Sequence, residues 1–580
     1  MPRYQGLPAS PGIAIGPALV YRTQKVTFTE HRVDDPRAEW RHLQQAIQKA
    51  HTQLTALEER ARKMAGDEEA AIFEAHRLFL DDEELLAKLR TMVLEERLNA
   101  KAAVHHAFEQ YAEALLSLEE EYFQARAQDL RDVAQRVMKC LEGEGDNPSV
   151  ENTPEPVILV AEDLTPSDTI RFDREQILGI VTARGGPTSH SAILARAMGV
   201  PAVASAPFDL SDIRSGTLAI LNGSTGLFNV GPTLHELEVA RKEKEEWEAR
   251  RQAELSQAEL PAVTKDGAFR AEVVANIGSI EDAESAIRFG AEGVGLFRTE
   301  FLYLQRSSMP TITEQVRVYK RVFEVMGERP VVVRTLDIGG DKEVPYLGTE
   351  KEPNPFLGWR AIRMIRERPD VLENQFTALL QAAGQVTAEG THCDLRIMLP
   401  MVSSVAEVER AREIYEEARA ALQAQGKPLP AKVQFGIMVE VPSAALLADH
   451  FAPLVDFFSI GTNDLTQYTL AVDRTNERVS VLASPYHPAV LRLIEMTIKA
   501  AHAHGKWVGL CGELAGDPLA VPLLVGLRLD EFSMAPSSIP TIKDLIRQWS
   551  LKMAEEVARE CLRFSLAADV IEYLKGQTPR

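Results

Sequence analysis

Residues 261–580 contain eight short apolar runs of strand character, and this repeated pattern constrains the fold more than any other feature of the sequence. Helix-like stretches separate the runs, so the segment alternates between strand and helix. Eight β-α units of this total length predict a (β/α)8 TIM barrel. The runs are "FRAEVVANIG" (269–278), "GVGLFRTEFL" (293–302), "PVVVRTLDIG" (330–339), "LRIMLPMV" (395–402), "VQFGIMVEVP" (433–442), "FFSIGTNDLTQY" (457–468), "WVGLCGELAG" (507–516) and "DEFSMAP" (530–536).

Polar side chains follow several of these runs at their carboxyl ends. In a TIM barrel the carboxyl ends of all strands meet at one face, and the active site lies there. Unrelated surface ion pairs are the alternative interpretation, and each residue taken alone fits that alternative about equally well. The agreement between strand ends favours one pocket, built from Arg298, Thr299, Glu300, Arg334, Asp337, Glu440, Asn463, Asp464, Cys511 and Glu513.

The side chains of this pocket suit a small, strongly anionic substrate. The guanidinium groups of Arg298 and Arg334 can each bind phosphate or carboxylate through two N–H groups. Two carboxylates with open positions, here Glu440 and Asp464, suit Mg²⁺, which retains waters and takes substrate oxygens. The sequence therefore predicts a Mg²⁺ site for a phosphorylated metabolite, with further polar groups from Asn463, Lys342 and Arg474.

Two residues could react with such a substrate, and the sequence leaves the role of each open. Cys511, in "GLCGELAG", suits either a proton donor in the pocket or a small core residue. His190 lies in "GGPTSHSAILARAMGVPA" (185–202), where Thr188 or Ser189 is the expected N-cap of a short helix. A helix N-terminus can hold a phosphoryl group, and a neutral imidazole can accept one. A capping or core histidine is the alternative, and the residues alone favour it.

The first 260 residues indicate three further segments. Residues 38–141 lack proline, contain one glycine and show helical apolar spacing at Leu43, Ile47, Ala50, Leu54 and Leu57, which predicts a Glu-rich helical bundle. From about residue 149, runs such as "PVILVA" (156–161), "ILGIVT" (177–182), "TLAILN" (217–222) and "GLFNVG" (226–231) predict an α/β domain, with short broken extended pieces over residues 1–20. Thr233 and Glu236 have capping-box spacing before a charged connector helix, which runs to about residue 259 and nearly all of which we expect to be solvated.

The charge of the chain bears on its partners. Lys and Arg number 64 and Asp and Glu 85, a net charge of −21, which argues against nucleic acid or an anionic membrane and favours a basic protein partner. Neither a signal-peptide core nor a run of 18 apolar residues is found, and the four cysteines are scattered without a CxxC pair. We therefore expect a cytoplasmic protein without structural zinc.

Several motifs carry a resemblance to a known family. "GGPTSHSAILARAMGVPA" resembles the phosphohistidine signature shared by enzyme I of the phosphoenolpyruvate-dependent sugar phosphotransferase system, phosphoenolpyruvate synthase and pyruvate phosphate dikinase. Enzyme I is the most similar of these, through "GLPASPGIAIGPA" (6–18), "GVGLFRTEFL", "NPFLGWRAIR" (354–363), "DFFSIGTNDLTQYTLAVDR" (456–474) and "CGELAGD" (511–517). The resemblance extends from about Gly6 to the C-terminal region.

The resemblance implies a reaction and a role for each matching residue. Phosphoenolpyruvate would phosphorylate His190, which would pass the phosphoryl group to the phosphocarrier protein HPr. Glu440 and Asp464 match Mg²⁺ ligands, and Cys511 matches the proton donor to the enolate carbon. The positions that match the substrate-binding pocket or the surroundings of the phosphoryl group are Arg298, Arg334, Asn463, Asp464, Arg474, Lys342, Arg360 and Thr169. Pro187 departs from the family pattern, since enzyme I often has arginine there.

The same resemblance implies a multidomain α/β architecture. It comprises a discontinuous swivelling phosphohistidine domain (1–24 and 146–231), an inserted helical HPr-binding subdomain (25–145), a linker helix (232–260) and a phosphoenolpyruvate-binding TIM barrel (261–580). Acidic runs at 67–69 and 81–84 would attract basic HPr or simply form a solvated helix surface. A homodimer through the barrel is also implied. The alternatives are a synthase or dikinase, for which no nucleotide-binding domain is evident, and a catalytically silent relative.

Overall fold

The computed structural model describes residues 2–578 except 23–27, 66–72, 74–75, 117–120, 143–154, 165–167, 169–175, 187–188, 305, 307, 341–343, 349–351, 475 and 477. The chain divides into two compact units, Met1–Arg250 and Arg251–Arg580. In the part of the chain that is described, no helix combines the length and the apolar character needed to cross a bilayer.

The first unit contains an eight-stranded mixed sheet. Its strands are β1 (Arg3–Gln5), β2 (Leu7–Ser10), β3 (Ile13–Tyr21), β4 (Val157–Ala161), β5 (Ile177–Thr182), β6 (Ala202–Ala204), β7 (Leu218–Asn222) and β8 (Leu227–Val230), in the order β1-β8-β7-β3-β4-β5-β6-β2. Successive residues of β4 alternate between two apolar clusters, with Leu159 in one and Ile158 in the other. Apolar side chains therefore cover the sheet on both faces. The four strands predicted between residues 156 and 231 are confirmed as β4, β5, β7 and β8.

The expectation that Gly6, Pro8, Pro11, Gly12 and Gly16 break residues 1–20 into short extended pieces was wrong at two points, because Pro8 lies within β2 and Gly16 within β3. Strand β3 runs unbroken through Gly16 and Pro17. Gly16 pairs with Ala219 in the sheet, and a Cβ there would collide with the side chain of Leu178, so the glycine makes room for packing. Local sequence indicates a turn at such a pair, but packing across the sheet decides otherwise.

Four helices form the segment between β3 and β4, and the predicted bundle is confirmed. They are α1 (Pro36–Ala65), α2 (Glu83–Leu94), α3 (Ala100–Leu116) and α4 (Glu121–Leu141), counted over the described residues. The apolar residues that led to this prediction share one core. Ile47 packs against that core, and the residues buried within it are Leu43, Ala50, Leu54 and Leu57.

Two more helices follow in the sequence: α5 (His190–Met198) comes after β5, and α6 (Leu234–Ser256) comes after β8. The predicted capping box is present, because the Glu236 N–H donates to Thr233 Oγ1 at 3.3 Å and the Thr233 N–H donates to Glu236 at 2.6 Å. The expectation of a solvated helix holds for 241–250, which are mostly exposed. The exceptions are Leu237 and Ala240 in the first turns, which are buried against Ile13 and Ile220.

The second unit is the predicted TIM barrel. Its eight parallel strands are β10 (Arg270–Ile277), β11 (Val294–Phe297), β12 (Val331–Arg334), β13 (Leu395–Leu399), β14 (Gln434–Val439), β15 (Phe457–Ile460), β16 (Trp507–Leu510) and β17 (Glu531–Met534), and each falls within one predicted run. Pairing of β10 with both β11 and β17 closes the barrel, and β9 (Ala262–Val263) adds an antiparallel strand to β10.

Helices surround these strands in chain order. They are α7 (Ile280–Arg288), α8 (Ile312–Met326), α9 (Pro369–Ala388), α10 (Val405–Ala424), α11 (Pro442–Leu446), α12 (Ala448–Phe451), α13 (Thr462–Leu470), α14 (Pro488–Ala503), α15 (Val521–Gly526), α16 (Ile539–Gln548), α17 (Leu551–Cys561) and α18 (Ala567–Lys575). The run 457–468 was predicted to be extended throughout, but it is strand only to Ile460 and helix from Thr462. Apolar run length alone does not separate the two.

Candidate active site

A cavity of about 200 Å³ lies at the carboxyl ends of the barrel strands. Its floor includes Leu296 and Met438, which belong to a cluster of buried side chains contributed by the strands. The structure brings together most of the residues predicted for the site, and those that line the cavity are Arg298, Arg334, Asp337, Arg360, Glu440, Asn463, Asp464, Arg474 and Cys511.

Four buried charges of alternating sign lie in a row at one side of the cavity, and we call them the charge chain: Glu300, Arg334, Asp337 and Arg360. The last three line the cavity, and Glu300 lies behind them. Arg334 lies 2.7 Å from Glu300 and 3.2 Å from Asp337. Arg360 donates two hydrogen bonds to Asp337, at 3.0 and 2.8 Å. Burial opposes the charge of Arg334, but Glu300 and Asp337 outweigh it and raise the pKa of Arg334. Both arginines therefore stay charged and fixed in orientation.

Two residues expected in the pocket, Thr299 and Glu300, support it from behind and do not line the cavity. Thr299 is fully buried, and its hydroxyl donates to the backbone oxygen of Arg334 at 3.0 Å. Glu300 accepts from the Arg334 guanidinium and, at 3.1 Å, from the N–H of Asp337. Their position after β11 predicted proximity to the site but not their function of holding Arg334.

The carboxylates of Glu440 and Asp464 meet at the cavity. Glu440 accepts a hydrogen bond from the Met401 N–H at 2.6 Å, and Asp464 Oδ1 is buried without a hydrogen-bond donor. Burial, with the nearby carboxylates of Asp464 and Asp337, raises the pKa of Glu440 to about 8. A bound cation would relieve this repulsion.

This donor set fits Mg²⁺. No cluster of three or more His, Cys, Asp or Glu side chains with metal-binding geometry occurs among the described residues. Mg²⁺ does not need one, since it is commonly held by one or two carboxylates while water and substrate oxygens complete its coordination. Glu440 and Asp464 are suitable ligands of that kind, because Asp464 Oδ1 has no hydrogen-bond donor and the two carboxylates repel each other.

Cys511 follows β16 and is 4% exposed. Burial raises the pKa of its thiol to about 11, so the sulfur keeps its proton at neutral pH. The Cys511 backbone oxygen accepts from the Asn276 side chain at 2.9 Å, a contact from β10 that no sequence signal indicated. The following glycine, Gly512, is required by space, because a Cβ there would collide with Thr462 Oγ1.

The rim of the cavity carries exposed groups. Arg298 is exposed, and Arg474, also exposed, lies 3.7 Å from Asp464. Asn463 is oriented by Glu513, whose N–H donates to Asn463 Oδ1 at 3.2 Å and whose carboxylate accepts from the Asn463 amide at 3.4 Å. Glu513 was expected in the pocket but lies beside it as an orienting group.

His190 is the first residue of α5, as predicted. Ser189 is the N-cap, and its hydroxyl accepts from the Ala192 N–H at 3.4 Å. Gly199 ends the helix in the left-handed conformation, with φ of 67°. The side-chain position of His190 is not among those described, and Thr169, Pro187, Thr188 and Lys342 lie outside the described residues.

Of the two acidic runs, 67–69 also lies outside the described residues. In the run 81–84, Asp82 is the N-cap of α2, where its carboxylate accepts from the Leu85 N–H at 2.7 Å. This residue therefore stabilises its own helix.

Comparison with known proteins defines the class first. Three family models match consecutive parts of the chain: PEP-utilising enzyme, N-terminal (5–126), PEP-utilising enzyme, mobile domain (153–226), and PEP-utilising enzyme, PEP-binding domain (251–551). The last of these spans the barrel with its cavity. The chain is thus built as an enzyme that uses phosphoenolpyruvate.

The relatives narrow this class. A phosphoenolpyruvate-protein phosphotransferase from Priestia megaterium is 45% identical over 99% of this chain and 98% of its own length. One from Bacillus subtilis (strain 168) is 42% identical over 99% of both chains. An NMR solution structure of Enzyme I is 36% identical over 42% of this chain and 99% of that chain, with a TM-score of 0.38. The protein belongs to the phosphoenolpyruvate-protein phosphotransferase family and is a transferase.

Proposed function

We propose that this enzyme transfers the phosphoryl group of phosphoenolpyruvate to His190 and then to HPr, the first step of sugar uptake by the phosphotransferase system. One observation carries the proposal: two fixed arginines, two facing carboxylates and a protonated thiol line a single cavity. Each is a group that the cleavage of phosphoenolpyruvate to a phosphoryl group and pyruvate requires.

The reaction follows from the residues. Arg298, Arg334 and Arg360 bind the anionic substrate, with Asn463 and Arg474 at the rim. An imidazole nitrogen of His190 forms a bond to phosphorus while the bond between phosphorus and the enol oxygen breaks, and that electron pair stays on oxygen. The resulting enolate takes a proton from the Cys511 thiol at its methylene carbon and becomes pyruvate. Water returns a proton to the sulfur.

Glu440 and Asp464 would hold Mg²⁺, which supplies positive charge against the phosphoryl oxygens when bound. Because burial and the neighbouring carboxylates raise the pKa of Glu440, binding of Mg²⁺ would release a proton from it, and we expect Mg²⁺ affinity to increase as the pH rises.

The proposed transfer gives each of the two units a role in the reaction. His190 belongs to the first unit and the cavity to the second. We propose that the domain carrying His190 moves between the barrel site and HPr during the transfer. We assign this mobile role to residues 1–24 and 146–231, HPr binding to 25–145 and the linker to 232–260. Thr169 near the phosphoryl group, Lys342 in the substrate pocket, a homodimer through the barrel and a cytoplasmic location are parts of the same proposal.

The test is incubation of the full chain with Mg²⁺ and phosphoenolpyruvate labelled in the phosphoryl group, with and without HPr. We expect an acid-labile, base-stable phosphoryl group on the protein that HPr removes, and no labelling of the His190→Ala variant. Label on that variant would refute His190 as the phosphorylated residue. The absence of label on the unmodified chain would favour a catalytically silent relative. Transfer from phosphorylated HPr to residues 1–230 tests the domain assignment separately, and its failure would overturn that assignment.

A further inference from the structure

A fully buried polar network lies behind the charge chain, outside the cavity. Its side chains come from helices α8 and α9 and from the segments that follow β11 and β12. Gln375, from the first half of α9, has no exposed surface and hydrogen-bonds to three other parts of the barrel. The other members are Thr299, Tyr303, Gln315, Tyr319 and the backbone of Leu336.

The amide of Gln375 connects the two segments that carry the arginines. Its oxygen accepts from the Leu336 N–H at 2.9 Å, and its nitrogen donates to Thr299 Oγ1 at 3.0 Å. Thr299 directly follows Arg298 in the chain, and Leu336 lies between Arg334 and Asp337. The Thr299 hydroxyl in turn donates to the Arg334 backbone oxygen, which closes the connection.

The orientation of this amide is fixed by its partners. The Leu336 N–H can only donate, so the Gln375 oxygen must face it. The second N–H of the Gln375 amide donates to the Tyr319 hydroxyl at 3.1 Å, so both donors and the oxygen are used. An amide saturated by direct partners in a buried site has one low-energy position, which it imposes on the segments it joins.

We propose that Gln375 is a positioning residue for phosphoenolpyruvate: it holds Arg298 and Arg334 at the spacing the substrate needs, although it does not line the cavity. The inference rests on the proposed function of the cavity. Displacements of about 1 Å at reacting groups can cost about 100-fold in rate, so a remote hydrogen-bond hub can control turnover.

The test compares two buried glutamines of the same network. Gln315 has no exposed surface either, accepts from Tyr303 and Tyr319 at 3.1 and 3.3 Å, and contacts neither arginine segment through these bonds. Both Gln375→Met and Gln315→Met replace a buried amide with an apolar side chain of similar volume. Gln375→Glu is the conservative variant, since it keeps the acceptor for Leu336.

The measurement is steady-state kinetics with phosphoenolpyruvate, Mg²⁺ and HPr, at a temperature where circular dichroism shows every variant folded. We expect Gln375→Met to lower kcat/KM for phosphoenolpyruvate by about 10- to 100-fold, Gln375→Glu by less, and Gln315→Met by under about 3-fold. The rate of phosphoryl transfer from phosphorylated HPr back to the enzyme, which does not use the barrel site, should stay unchanged in all three.

Equal losses in the two methionine variants would overturn the inference and give Gln375 a role in stability alone. So would a Gln375→Met variant with wild-type kinetics, or a loss in the back-transfer as large as that in the forward reaction. If Gln375→Met does not fold, Thr299→Val takes its place, because it removes the hydroxyl that links the Gln375 amide to the Arg334 backbone. A folded Thr299→Val variant with wild-type kinetics would then refute the inference. An unmodified enzyme that does not turn over phosphoenolpyruvate would refute the proposed function instead.

Discussion

Replacing Asp337 by asparagine tests how strongly burial strengthens the charge chain. Asp337 accepts two hydrogen bonds from Arg360 and lies 3.2 Å from Arg334, and all three side chains are at most 8% exposed. Removing one partner of a buried ion pair costs about 3–5 kcal/mol, because the other charge is left uncompensated. Arg334 keeps Glu300 at 2.7 Å, so only Arg360 loses its carboxylate partner. We therefore expect a loss near the lower limit, about 3 kcal/mol in the free energy of unfolding.

A surface pair of the same geometry supplies the control. Arg368 donates to Asp370 through two N–H groups at 2.9 and 2.8 Å, but these side chains are 30% and 50% exposed. Asp370→Asn should therefore cost under about 1 kcal/mol, since water screens the pair.

The assay is urea unfolding of the full chain, followed by tryptophan fluorescence. Three of the five tryptophans, Trp359, Trp507 and Trp549, lie in the barrel unit and report its transition. Equal losses for Asp337→Asn and Asp370→Asn, each under about 1 kcal/mol, would show that burial does not strengthen the inner pair. That result would also remove the reason for treating the buried arginines as fixed.

Three further predictions follow from the structure. Cys511→Ala should lower pyruvate formation by about 100-fold or more if the buried thiol, with a pKa of about 11, supplies the proton as proposed; an unchanged rate in a folded variant would contradict this role. The Asp530 carboxylate, 2.7 Å away, raises the pKa of His502 above 6.5, so His502 adds stability below pH 6.5 that is lost as the pH rises through the raised value. In urea unfolding, His502→Gln should thus cost under about 1 kcal/mol at about pH 5.5 and less at about pH 8.5, and the opposite trend would refute the pairing. Thr233→Ala removes the hydroxyl that caps α6 and should cost about 1 kcal/mol. Trypsin should then cleave α6 faster than in the wild type, whereas an unchanged cleavage rate would mean that Glu236 alone maintains the cap.

The barrel could be predicted because its signals are local. Each strand is a short apolar run, and the polar residues just after it must lie at one face of any parallel barrel. For the same reason, the sequence could place Glu440, Asp464 and Cys511 together at one site, and all three line the cavity. Both ends of α5 could also be predicted, because Thr188 or Ser189 was the expected N-cap and Gly199 is a local signal for the end of a helix.

The supporting residues could not be predicted, because their role depends on contacts between distant parts of the chain. Gln375 is one more polar residue on a helix until its amide is seen to reach Thr299, 76 residues away in sequence. Asn276 meets the Cys511 backbone from a strand 235 residues earlier. Gly16 indicates a break locally, but it pairs with Ala219 inside β3, and a Cβ there would collide with the side chain of Leu178.

The alternating order of the charge chain has a consequence for how substrate arrives. Within the charge chain, two buried carboxylates balance two buried guanidinium groups, so these four side chains together carry no net charge. Attraction at a distance then comes from the exposed Arg298 and Arg474 at the rim, and dissolved salt screens such exposed charges. The part of substrate capture that depends on Arg298 and Arg474 should weaken as ionic strength rises, while the residence time, which we propose Arg334 and Arg360 set away from water, should change little. Salt can therefore separate the two groups of arginines by kinetics without any mutation.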